Sequence, residues 1–158
     1  MKNILLMCLS KSGAAPEFIL SIANGFNSNK NNRVYCIVSS CIENKEAWYE
    51  AINRGIYVLF IETGNSKTFF ISSIKFLAIG NKQIKEFVSG KCIYTAIQTL
   101  THPWMYFINN WIKPRHSMVI VHDPISHSGE KRINKFMSRF MYKHTREVQY
   151  DHSYYYND

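Results

Sequence analysis

The sequence predicts an α/β fold, an open parallel sheet with helices on both faces in a single domain, on three observations. Apolar runs of strand length alternate with segments of helical period, the pattern of a parallel sheet whose crossovers are helices. The first run, 4–9, is apolar throughout, as a strand buried on both faces must be. A chain of 158 residues suffices for one core and leaves no room for two domains.

Ser10-Lys11-Ser12-Gly13 supplies the turn after that first strand. Pro16 then suits the first turn of a helix in which Phe18, Ile19, Ile22 and Phe26 recur at helical spacing, and the polar run 27–32 ends it. Residues 33–38 and 56–61 read as the second and third strands, with a helix over 43–53 between them. A third helix is expected over 68–79, apolar around much of its circumference, and a shorter fourth strand over 91–97. Pro103 opens a further helix with Trp104, Phe107, Ile108 and Trp111 at i, i+3, i+4 and i+7, and Lys113-Pro114 breaks it. A fifth strand at 118–121 runs into the loop 122–130. Beyond it, 131–144 reads as an amphipathic basic helix with Ile133, Phe136, Met137, Phe140 and Met141 on one stripe and Lys131, Arg132, Lys135, Arg139 and Lys143 on the opposite arc. Residues 1–150 thus form one domain and 151–158 an irregular tail.

Composition narrows the function classes. Hydrophobic residues at 46% and charged residues at 19% exclude a disordered chain. A net charge of +8 favours an anionic partner such as phosphate or an acidic membrane face. Nucleic acid has only this charge in its favour, because no zinc-finger spacing or aromatic-plus-basic RNA motif occurs, and no nucleic-acid partner is expected. Cys8, Cys36, Cys41 and Cys92 include no CxxC pair and are expected to be buried, reduced thiols. The opening apolar run is short for a secretory signal, and no stretch approaches the ~20 apolar residues of a membrane span. A cytoplasmic protein is expected, peripheral at the inner face of the membrane through its basic helix.

In open α/β sheets ligands bind beyond the carboxyl ends of the strands, which directs attention to the loops after the first and fifth strands. The loop containing Ser12 and Gly13 lies between a strand and a helix N-terminus, where a phosphate or sugar can rest. It carries neither G-x-G-x-x-G nor G-x-x-x-x-G-K-[ST], which disfavours a dinucleotide or P-loop site, and on these residues alone a plain turn is the favoured account. The second loop gathers His122, Asp123, His127, Ser128 and Glu130. A histidine there can exchange a proton near neutral pH, with Asp123 orienting it or meeting substrate hydroxyls. Ser128 and Glu130 can equally begin the next helix as caps. His122, Asp123 and His127 could hold a metal for hydrolysis, but no HExxH helix or further carboxylate set accompanies them, and no metal is expected. A serine nucleophile is disfavoured because no G-x-S-x-G elbow is present.

These residues taken together resemble the N-terminal, acceptor-side domain of a GT-B glycosyltransferase of the retaining, family-4-like type. The resemblance spans roughly residues 2–150 and is carried by the opening strand with Ser12-Gly13-Ala14-Ala15, by the strand 33–38, and above all by Val119-Ile120-Val121-His122-Asp123-Pro124 with His127-Ser128-Gly129-Glu130. It implies a Rossmann-like domain and transfer of a sugar from a nucleotide-sugar, itself a substrate, to a glycan or lipid-linked acceptor, without cofactor or essential metal, in polysaccharide or glycoconjugate assembly. By resemblance His122 is the catalytic-site residue facing the donor sugar, and Gly13 lies by the donor phosphates. Ser12, Asp123, His127 and Ser128 are nearby substrate contacts. The family's donor-binding domain has no counterpart in these residues, so the chain is expected to be half an active site, inactive without a donor-binding domain or subunit. The family also expects a strand after the basic helix, and Val148-Gln149-Tyr150 begins one. The alternative is a non-catalytic α/β interaction module for a partner protein or an acidic membrane surface.

Overall fold

A computed structural model describes residues 1–64, 68–99, 102–121 and 147–150. In chain order the elements are β1 (Lys2–Cys8), α1 (Ala14–Asn27), β2 (Asn32–Ser39), α2 (Lys45–Asn53), β3 (Tyr57–Ile61), α3 (Phe69–Phe87), β4 (Thr95–Gln98), α4 (Pro103–Ile112), β5 (His116–Val121) and β6 (Glu147–Tyr150). The strands form one sheet in the order β3-β2-β1-β4-β5-β6. Every neighbouring pair is parallel. The expected α/β, Rossmann-like single domain is what the chain forms.

Its centre is β1, and the period-2 geometry of a strand explains why that segment is apolar throughout. Ile4, Leu6 and Cys8 join Val34, Cys36 and Val38 on one face, covered by Ala15, Ile19, Leu20 and Ala23 of α1 and Trp48 and Ala51 of α2. Leu5, Met7 and Leu9 join Tyr35 and Ile37 on the other, covered by Phe76 and Ile84 of α3 and Trp104, Met105 and Ile108 of α4. Both layers are apolar. The second is aromatic: the rings of Phe76 and Trp104 stack at 4.2 Å and 5°.

Several boundaries differ from the sequence expectation for identifiable reasons. The third helix does not stop at 79; it continues through Gly80 to Phe87. Gly80 is a close-approach position rather than a stop, since a Cβ there would lie 2.8 Å from the Phe76 ring. Ile84 then carries the buried stripe onward. The fourth strand starts at Thr95, later than 91, because its ladder with β1 opens at Ile4 and Thr95, while Cys92 precedes the ladder and accepts a 2.9 Å bond from Asn3 Nδ2. Cys92 is consequently exposed, as is Cys41 in the turn after β2, so the expected burial of the thiols holds only for Cys8 and Cys36; all four are free. In α1 the buried line runs through Ala15, Ile19, Leu20 and Ala23, leaving Ile22 and Phe26 at its margin. The strand begun by Val148 forms as β6, parallel to β5.

Among the described residues no helix is long and apolar enough to cross a membrane. The expected basic helix over 131–144 and the tail 151–158 lie outside the described residues.

Candidate functional site

The strand order fixes where a ligand can enter. From β1 the chain builds outward through β2 to β3, crosses back to β4 on the other side of β1, and builds outward again through β5 to β6. The loop after β1 leads to α1 on one face of the sheet, and the loop after β4 leads to α4 on the opposite face. Two adjacent parallel strands whose loops part in this way leave a crevice at their carboxyl ends.

The β1 side of the crevice ends in Ser10-Lys11-Ser12-Gly13. Gly13 is the residue before α1, with φ 88° and ψ −168°, and no side chain caps the helix. That pair of angles is open to glycine alone, and a Cβ added there would meet nothing within 4 Å. The N-terminal amides of α1 therefore lie behind a loop without side-chain bulk, the arrangement that favours an anionic group. Pro16, at the third helical position, contributes no N–H to this end. The loop is held in shape by Ser10 Oγ, which donates to Ser12 O at 2.9 Å, and by the Glu43 N–H, which donates to Lys11 O at 2.8 Å. The Lys11 ammonium donates to Gly64 O in the loop after β3.

The β4 side ends in Gln98 and Thr99, both fully buried. Among the described residues neither the amide oxygen nor the amide nitrogen of Gln98 has a hydrogen-bond partner, an arrangement that costs about 1–3 kcal/mol per group. At the neighbouring carboxyl ends of β2 and β3, by contrast, buried Ser39 and Thr63 satisfy one another at 2.9 Å. Burial pushes the Cys8 thiol above its usual range; the Thr99 hydroxyl approaches it and offsets part of that effect, without a well-formed hydrogen bond. Immediately before α4, His102 caps the helix: its Nδ1 accepts the Trp104 N–H at 3.3 Å. Burial lowers its pKa to about 4, so it stays a neutral acceptor at physiological pH.

Of the residues expected from sequence to form a site, Ser12 and Gly13 lie at the carboxyl edge, both exposed, immediately before α1. His122, Asp123, His127 and Ser128 follow β5 directly in the chain and lie outside the described residues. Gln98, Thr99 and His102 were not anticipated. The sequence directs attention to the loops after the first and fifth strands, yet the strand that borders β1 is β4, and strand order is not written in any local pattern. The polar run Gln98-Thr99 closing an apolar strand was the available signal. Among the described residues no group of three or more His, Cys, Asp or Glu side chains is placed to hold a metal ion. A small cleft of about 170 Å³ lined by Ile61, Glu62, Ser72, Lys75 and Phe76 lies beside β3, too small for a nucleotide-sized ligand, for which roughly 300–1,000 Å³ is usual.

The class defined here is the doubly wound, Rossmann-like α/β domain, with its topological switch point between β1 and β4. No family model matches the chain, and neither does any curated protein.

Proposed function

We propose that the chain is the acceptor-side domain of a GT-B, retaining, family-4-like glycosyltransferase, cytoplasmic and peripheral at the membrane. The observation that supports this reading is the switch in strand order between β1 and β4, bordered by a loop in which Gly13 precedes α1 with no side chain over it. The residues of the resemblance also fall at the carboxyl ends of strands: Ser12-Gly13 after β1, and His122-Asp123 directly after β5 in the chain. On this reading the amides at the start of α1 help neutralise the departing diphosphate, and His122 faces the donor sugar. Asp123, His127 and Ser128 contact substrates, and the acceptor hydroxyl is held on the face from which the nucleotide leaves. The donor-binding domain comes from outside these 158 residues and closes the crevice into a cleft.

The test is sugar transfer from a nucleotide-sugar by the chain alone and together with a donor-binding polypeptide, for wild type and His122→Ala. Transfer only in the mixture, reduced at least a hundred-fold by His122→Ala, is the expected result. A mixture that assembles yet transfers nothing favours a non-catalytic interaction module.

A further inference from the structure

The helix α3 meets two environments. Inward, Ser72, Phe76, Gly80 and Ile84 are buried. Outward, Phe70 is 74% exposed, Ile71 69%, Ile74 54% and Leu77 47%. At 3.6 residues per turn these four side chains share about one third of the helix circumference. The next turns of that arc carry Lys82 and Lys85, both exposed. Lys82 is 3.8 Å from Glu86, whereas Lys85 forms no ion pair with a described residue. The outward arc is therefore apolar in its first half and basic in its second. Contiguous exposed apolar patches of this kind mark interaction sites.

The patch is fixed relative to the crevice. Because α3 follows β3, its N-terminal half stands at the carboxyl edge of the sheet. The Phe69 ring lies 6.0 Å from that of His102 and 6.2 Å from that of Trp104, and Trp104 Nε1 donates to Ser73 Oγ at 3.1 Å. The Lys11 bond to Gly64 joins the loop after β1 to the loop that leads towards α3.

We propose that the outward face of α3 docks on an anionic lipid bilayer. A second copy of the chain fits it poorly: in a two-fold antiparallel pairing the lysines of one helix would be pressed against the apolar half of the other and lose their hydration. A bilayer interface accepts both halves at once, with Phe70, Ile71, Ile74 and Leu77 at the acyl boundary and Lys82 and Lys85 among the lipid phosphates. The net charge of +8 attracts the chain to such a surface. This docking does not depend on the sugar-transfer reading. If both hold, the acceptor is lipid-linked and reaches the crevice from the membrane beside it.

Co-sedimentation with vesicles of phosphatidylcholine and phosphatidylglycerol at a 3:1 ratio, against phosphatidylcholine alone, tests the proposal with no sugar present. Wild type is expected to bind the anionic vesicles at least ten-fold more tightly than the neutral ones. Phe70→Asp with Ile74→Asp should weaken that binding at least ten-fold, and Lys85→Gln about five-fold, with unchanged circular dichroism. Ile52→Asp, at an exposed position on α2, should leave it unchanged. If the double variant loses helical signal, Phe70→Ser at the most exposed of these sites carries the same test. The proposal is overturned if wild type ignores anionic vesicles, or if the α3 variants bind as wild type does. A dimer in sedimentation velocity that the α3 variants abolish, with vesicle binding intact, overturns it in favour of self-association.

Discussion

The two helical layers cover one sheet with similar residues and differ on their far sides. Beneath α1 and α2 the sheet is sealed by Ile19, Leu20 and Trp48; beneath α3 and α4 it is sealed by Phe76, Ile84 and Trp104. The inward demand is the same for both, since each layer must remove one face of β1 and its neighbours from water. On the water side they part. Exposed positions of α1 are Ala14, Glu17, Ser21 and Gly25, and α2 exposes Tyr49 and Ile52 only in part, whereas α3 exposes Phe70, Ile71, Ile74 and Leu77 on one arc. Folding does not prescribe the outer surface of a helix, so the difference between the layers reports on use rather than on stability.

Replacing the large buried indoles strikes both layers hardest and separates them. Trp48→Ala and Trp104→Ala should each cost about 3–5 kcal/mol in urea unfolding. Only the second removes support from Phe69 and Phe76, so hydrogen exchange should accelerate in α3 for Trp104→Ala and in α2 for Trp48→Ala. Acid should act on the α3/α4 layer through His102. Its folded pKa lies below the unfolded value of 6.5, so the neutral form is the one the fold prefers. The associated stability is present in full above pH 6.5 and is lost as pH falls towards about 4. A loss of roughly 2–3 kcal/mol across that window is expected, and His102→Asn, which keeps a capping acceptor, should flatten the profile.

Smaller effects sharpen the contrast. Gln98→Met removes two unpartnered polar atoms on the α3/α4 face and should raise stability by about 1–2 kcal/mol in the same unfolding experiment. A drop instead would mean that the amide has partners in the folded protein. The smallest effect reverses sign between the layers. Gly80→Ala pushes a Cβ to within 2.8 Å of a ring already stacked on Trp104, and should cost about 1 kcal/mol net. Gly25→Ala in α1 meets nothing within 4 Å and should stabilise by about 0.5–1 kcal/mol in thermal melts.

Most of the fold was legible in the sequence because it is written locally. Period-2 burial on both faces makes 4–9 unmistakable, and Pro103 with Trp104 and Ile108 announces α4. What escaped was set by contacts distant in sequence. Gly80 looks like a helix end until Phe76 is seen to need its missing Cβ, and 91–93 looks like strand until the ladder with β1 is seen to begin at Thr95. The candidate site divides in the same way. Ser12 and Gly13 were recognisable from a strand-to-helix turn rich in small residues, and they lie exposed between β1 and α1. Gln98, Thr99 and His102 join that neighbourhood only because β4 lies beside β1, a choice made by the whole sheet.

In the proposed sugar-transfer role Gly13 matters because it keeps the start of α1 open to an anionic group. The most direct test of that role is transfer of labelled sugar by the chain mixed with a donor-binding polypeptide, comparing wild type with Gly13→Val. The substitution enters open space but forces angles that valine rarely adopts, so a stability loss of about 1–3 kcal/mol is expected and is measured alongside. The expected result is at least a hundred-fold loss of transfer with the variant still folded and still bound to its partner. Equal rates for the two proteins would contradict it.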